Sequence, residues 1–245
     1  MRRTTAFAIS AVLLPGALAL SACSGPSLSD AVAGSSTSTS PAAAATTTTA
    51  DPNTGLLTGT ELKAALAPAS YFPSGYSSNA SSTRDTGTSF QAPSVSAPAS
   101  PDCTLFGSNG ILTITGMNPV SFAQGDFIDS ASSGEYSQEI DVFQGTSAQA
   151  DMTALAQAGK SCPTYHDSQT SSTAKVTDTT TTVAGDPALV FTSTDPAWSG
   201  GLTIEAIQAG HAVVTVMVSD NASDNGTPEA TKLATTIVAN LAGKS

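Results

Sequence analysis

The chain is poor in charge, aromatic residues and cysteine. Only 11% of its 245 residues are charged, with 8 Lys and Arg against 19 Asp and Glu, and Trp198 is its one tryptophan. A net charge of −11 and so few cations leave no basic patch to neutralise a phosphate backbone, so nucleic acid is not an expected partner. Anionic lipid headgroups are repelled for the same reason. The motifs G-x-S-x-G, H-E-x-x-H and the P-loop are absent, which removes the commonest local signatures of serine hydrolases, zinc proteases and NTPases. No cofactor is expected.

One long apolar run is present, Ala6–Leu20 in MRRTTAFAISAVLLPGALALSAC. It follows Arg2 and Arg3, is interrupted by Pro15 and Gly16, and ends in small residues. Those features describe an export signal rather than a mature membrane helix. The run closes on Leu20-Ser21-Ala22-Cys23, which resembles the lipobox of bacterial lipoproteins. That resemblance implies cleavage after residue 22 and a diacylglycerol thioether on Cys23. Multiple acyl chains anchor firmly, because each buried CH₂ contributes about 0.8 kcal/mol. Cleavage removes Arg2 and Arg3 and takes the net charge from −11 to −13. Residues 24–53 are almost entirely Ser, Thr, Ala, Pro and Gly, too apolar-poor to offset chain entropy. They read as a flexible tether with a span of about 30 Å. The expected organisation is a signal peptide over 1–22, a lipidated Cys23 with tether over 23–53, and a folded extracellular domain over 54–245.

The domain alternates strand and helix signals. LLTGTELKAALAP predicts a helix over 59–67, with a Thr58/Glu61 capping box and a Leu57/Leu62 staple, ended by Pro68. Residues 76–101 are rich in Ser, Thr and Pro, and one strand is expected over 83–91. Asp102 starts a helical turn, and ILTIT (111–115) fits either strand or helix. Segments 121–129 and 135–143 read as a hairpin around a Ser/Gly turn, with Ile140 and Val142 alternating with Glu139 and Asp141. A helix follows, with Thr146 and Gln149 as a second capping box, a stripe of Met152, Leu155 and Ala156, and Pro163 as its stop. Strands are expected over 174–183, 187–194, 202–208 and 211–218, the last two joined by an Ala209-Gly210 loop. HAVVTVMV is apolar on both faces and reads as a central strand. The last helix takes Thr227 as N-cap, Pro228 at N1 and a Leu233, Ile237, Leu241 stripe. This order predicts an α+β fold, a mostly antiparallel central sheet with helices packed on one face.

GKSCPTYHD places Cys162 four residues from His166. With Cys23 acylated, Cys103 and Cys162 are an even pair in an exported domain, and a disulfide is the favoured reading. Two alternatives stay open: a Cys162 nucleophile with His166 as base, and a zinc site drawing on Cys103, Cys162, His166 and His211. No catalytic and no metal residue is assigned. Ser172-Thr173-Ala174-Lys175 with the S-D-N triplets at 219–221 and 223–225 matches parts of the penicillin-recognising signature, but no K-T-G follows. DNASDNGTPEA (220–230) matches part of a calcium loop, with Lys232 where a glutamate is needed. A polar turn before a helix cap is the favoured reading. Trp198 is read as closing the core edge ahead of lining a cleft, and Asp85, Asp126 and Glu205 as carboxylates on solvated strand faces.

The lipobox and tether, the short helix near LLTGTELKAAL, Cys103 shortly after a proline, the hairpin feeding ALAQAGKSC and the closing HAVVTVMV…LATTIVANL resemble the PknH-like extracellular sensor domains of actinobacteria. The resemblance covers residues 55–243. It implies an α+β domain with a central antiparallel sheet and a cleft thought to bind a ligand. Members usually carry two disulfides, whereas this chain has cysteines for one. The PsbP-like lipoproteins are a related alternative. The expected function is therefore that of a lipoprotein on the outer face of the cytoplasmic membrane. Its domain binds an unidentified ligand or envelope protein and has no catalysis of its own. A surface hydrolase and an envelope-assembly or structural lipoprotein are the alternatives. No ligand-binding residue is marked by a motif.

Overall fold

The structure is a computed structural model and describes residues 50–96, 98–220 and 223–244. The expected signal peptide, Cys23 and most of the expected tether lie outside the described residues. The domain's contacts include residue 53, just before the expected boundary at 54: the Gln144 side chain donates to Asn53 at 2.8 Å.

Eleven strands and three α-helices are present among the described residues. The strands are β1 (Tyr76–Ser78), β2 (Arg84–Asp85), β3 (Ser94–Val95), β4 (Met117–Asn118), β5 (Ser121–Asp129) and β6 (Glu135–Val142). They continue with β7 (Thr164–Asp167), β8 (Ser172–Val183), β9 (Asp186–Thr194), β10 (Gly201–Ala209) and β11 (Ala212–Asp220). The helices are α1 (Gly59–Lys63), α2 (Ser147–Ser161) and α3 (Thr227–Ala242). One antiparallel sheet runs β1-β5-β6-β11-β10-β9-β8-β7, with β2 also on β5, while β3 and β4 pair separately. The fold is α+β around an antiparallel sheet, as expected.

The placement of the helices differs from expectation: they occupy both faces. Side chains alternate across a strand, and β11 sends Val214, Val216 and Val218 to one core while Val213 and Met217 reach another. The first core lies beneath α1 and α3, whose Leu62, Leu233 and Ile237 are fully buried. The second lies beneath α2 and the 3₁₀ turns Cys103–Gly107 and Ile111–Thr115, and it contains Leu155, Ile204 and Phe191. HAVVTVMV is apolar on both faces because both are covered. Each buried Leu, Ile, Val or Phe there contributes about 1.5–3 kcal/mol relative to exposure.

Several local readings shift. Helix α1 ends at Lys63, short of residue 67. The cause is Gln138, whose amide accepts the Ala67 N–H at 2.8 Å and donates to the Ala67 carbonyl at 3.0 Å. The backbone leaves the helix to make that pairing, while the Glu61 carboxylate still accepts the Thr58 N–H and hydroxyl at 2.8 and 2.7 Å. The strand expected over 83–91 shrinks to Arg84–Asp85. Thr146 makes no side-chain cap to α2. The β10–β11 loop is Gly210-His211 rather than Ala209-Gly210, since Ala209 pairs Ala212 across it. The cap of α3 is Gly226, one residue before Thr227, at φ 74°. Glycine suits that left-handed position, and a Cβ there would lie 2.7 Å from Val218 Cγ1. Strand β7 was not expected at all. It adds to the sheet edge by pairing Thr164–Asp167 with Ser172–Lys175.

Candidate functional site

At the end of the sheet where β5 stops and β6 and β10 start, the second face is not covered by α2. The gap is a cleft of about 810 Å³. Its floor includes Ile128, Glu135, Leu202 and Met217. One wall is the chain leaving the Cys103–Gly107 turn, a second is β7 with the turn at Ser168-Gln169, and a third is the loop from Trp198 to Gly200.

Each wall has a physical anchor. Cys103 and Cys162 form the disulfide, with their Cα atoms 5.3 Å apart, and so join the first wall to the second. Gly107 packs against the Tyr165 ring, where a Cβ would lie 2.7 Å from the phenol oxygen. Asn109 donates to Asp126 at 2.6 Å, and Ser193 donates to the Phe106 carbonyl at 3.0 Å. Trp198 Nε1 donates to Asp167 at 2.9 Å, tying the third wall to the second. Asp195 accepts the Ala197 N–H at 2.7 Å and the Ser172 hydroxyl at 2.6 Å.

The electrostatics are one-sided. Among the described residues neither Lys nor Arg lines the cleft. Hydrogen bonds from Thr170, Trp198 and the Gln169 backbone hold the Asp167 carboxyl below its ordinary range. Burial, and then the Asp126 charge, raise Glu135. Burial pushes the Tyr165 phenol up to about 12.

Behind the cleft, the same sheet face holds acids in the interior. Asp126, Asp141 and Asp151 are buried and Glu139 is half-buried. Asp151 accepts the Thr115 hydroxyl at 2.6 Å, while its other oxygen and one oxygen of Asp141 have no hydrogen-bond partner among the described residues. Burial raises Asp151 to about 6 and Glu139 to about 7. Asp141 is raised well above its ordinary value by burial and then by the charges of Glu139 and Asp151. Arg84 opposes this for Glu139 and Asp141; it sits over the Phe122 ring and donates to Gln124 at 2.9 Å.

The reading of Asp126 and Glu205 as solvated is overturned. Asp126 is enclosed by Asn109, Ser137 and Gln124. Glu205 is fully buried on the α3 side of β10, where burial raises its carboxyl and the Thr231 side chain opposes the rise. Alternation alone marks those positions as outward, and a second covering layer turns them inward. Asp85 does stay at the surface region, paired with Lys63 at 3.0 Å.

Cys162 is fully buried and oxidised, so its nucleophile and zinc readings fall. His166 lies exposed on β7 and lines the cleft. Ser172 and Lys175 sit three apart on β8, on opposite faces of a strand, so the S-x-x-K match has no shared face. In the partial calcium loop, carboxylate oxygens of Asp220, Asp224 and Glu229 lie within 4.8 Å of one another. Lys232 stands over the Tyr71 ring at 5.8 Å. Trp198 plays both roles weighed for it: half-buried, it packs on the second core and lines the cleft.

No family model and no curated protein matches the chain. Among solved structures it is similar to the extracellular domain of PknH from Mycobacterium tuberculosis. The TM-score is 0.52 at 14% identity, over 76% of this chain and 97% of that one. The two share a fold. Among the described residues no helix is long and apolar enough to cross a membrane. Sequence reasoning named none of the cleft walls as a site, because they come from separate segments that only the sheet and the disulfide bring together. The single tryptophan in a Gly/Ser loop was the one local signal.

Proposed function

We propose that this chain is an exported lipoprotein held by Cys23 on the outer face of the cytoplasmic membrane. Its domain binds a ligand or envelope protein in the cleft and performs no catalysis of its own. The observation that carries the reading is the cleft: about 810 Å³, walled by three separate segments and lined by convergent polar groups. The export signal, the lipobox and the anionic domain support the location. The fold likeness to the extracellular domain of PknH supports a role outside the cytoplasm.

Two measurements on the full-length chain in an actinobacterial host test it. Metabolic labelling with palmitate is expected to mark the protein, and Cys23→Ser to abolish the label and release protein from the membrane fraction. Native mass spectrometry of the exported protein is expected to show an added mass that leaves on denaturation. An unlabelled protein found only in the medium would sink the anchor. Turnover of ester or cell-wall substrates would sink the non-catalytic reading.

A further inference from the structure

We propose that the cleft takes a neutral carbohydrate, a short oligosaccharide stacked on Trp198 and hydrogen-bonded by the surrounding amides and hydroxyls. This rests on the cleft being the binding site. Four observations carry it.

Charge excludes the commonest alternative first. With neither Lys nor Arg in the lining among the described residues, and with Glu135, Asp167 and Asp220 present, a phosphate, a nucleotide or an acidic polymer meets an unfavourable field. Two of the three acids are poorly placed for a cation. Asp167 already accepts from Trp198, Thr170 and the Gln169 N–H, so its acceptor capacity is largely committed inside the wall. Burial also raises Glu135, and Asp220, the third acid of the lining, makes a cation the charged alternative that a polyamine probe tests.

The free groups are neutral and two-sided. The side chains of Gln169, Ser168 and Ser199 line the cleft and make no hydrogen bond among the described residues. An amide or a hydroxyl both donates and accepts, as does each hydroxyl of a sugar. Trp198 supplies the apolar part. Its indole N–H is fixed on Asp167, which orients the ring before any ligand arrives and limits the ordering cost of stacking. A pyranose presents C–H groups on one face and hydroxyls around its rim, the complement of an aromatic plane set among amides. The volume lies within the range of about 300–1,000 Å³ typical of small-ligand sites.

Trp198 is the only tryptophan, so its emission reports on the site alone. The full-length exported protein, in detergent, would be titrated with maltotriose, cellotriose, chitotriose and mannotriose, with binding read by tryptophan emission and by saturation-transfer NMR on the sugar protons. At least one trisaccharide is expected to give a saturable change. Trp198→Ala, which removes the emission and is therefore read by saturation-transfer NMR alone, as is every other Trp198 variant, is expected to weaken binding by about tenfold or more, as for a central aromatic contact. Because Trp198 also packs on the core, Trp198→Phe serves as the second variant and is expected to stay within a few-fold of wild type. Gln169→Ala, at an exposed position, should weaken binding several-fold with unchanged stability. A trisaccharide that binds all three variants like wild type overturns the proposal. So does a response to spermidine or a sugar phosphate with none to the neutral sugars, although the cleft then remains a binding site. Silence from every probe, together with no co-purifying mass, removes both the carbohydrate and the cleft reading.

Discussion

Replacing Asp151 by asparagine is expected to stabilise the protein at neutral pH. Asp151 is fully buried on α2, one oxygen takes the Thr115 hydroxyl, and the other has no partner among the described residues. Burial raises its carboxyl from 3.8 to about 6. A group whose folded pKa exceeds its unfolded one binds a proton on folding between those values. Its cost is absent below about pH 4, grows as pH rises to about 6, and is constant above that. At 1.36 kcal/mol per pKa unit the full cost is about 3 kcal/mol. Asparagine keeps the acceptor for Thr115 and carries no charge, and it also relieves Asp141, which Asp151 helps to raise. Urea unfolding followed by Trp198 emission would compare D151N with wild type at about pH 4, 6 and 7.5. The variant should match wild type at the acid end and gain up to about 3 kcal/mol at the neutral end. A difference that does not change with pH, or a more stable wild type at about pH 7.5, would refute the account.

Two further changes probe the frame. Gln138→Leu removes both partners of the Ala67 backbone and leaves a buried N–H and C=O unpaired; urea unfolding should show a loss of about 2–4 kcal/mol. Cys103→Ala with Cys162→Ala reopens a loop closed across 59 residues and should cost about 4 kcal/mol, measured against the oxidised protein.

The order of elements is legible in the sequence because its signals are local. The Thr58/Glu61 box, the β5–β6 hairpin, the doubly apolar β11 and the Leu233, Ile237, Leu241 stripe each depend on residues near one another. What is not local is the choice of face. Nothing within α2 says that it crosses to the side of the sheet opposite α3. That crossing is what buries Asp141 and Asp151. A Glu139–Asp141 alternation looks identical whether water or a helix lies above it. The disulfide is readable because cysteine counting under an export signal leaves one pairing. The cleft is not, since its walls are distant in sequence. Strand β7 is hidden because TYHD is short and mixed, and edge pairing with β8 supplies what its composition lacks.

The disulfide also dictates how the cleft can move. Cys103 opens the turn behind the first wall, and Cys162 lies two residues before Thr164, where the strand of the second wall begins. Mechanically those two walls are one piece with a covalent spine, and neither swings without the other. The third wall has no such restraint. It hangs on the Trp198–Asp167 bond and the Asp195 turn, and it ends in Gly200 at φ 138°. Any gating of the cleft is therefore asymmetric: the side of the cysteines stays fixed, and the side that carries the tryptophan moves only when the Trp198–Asp167 bond opens.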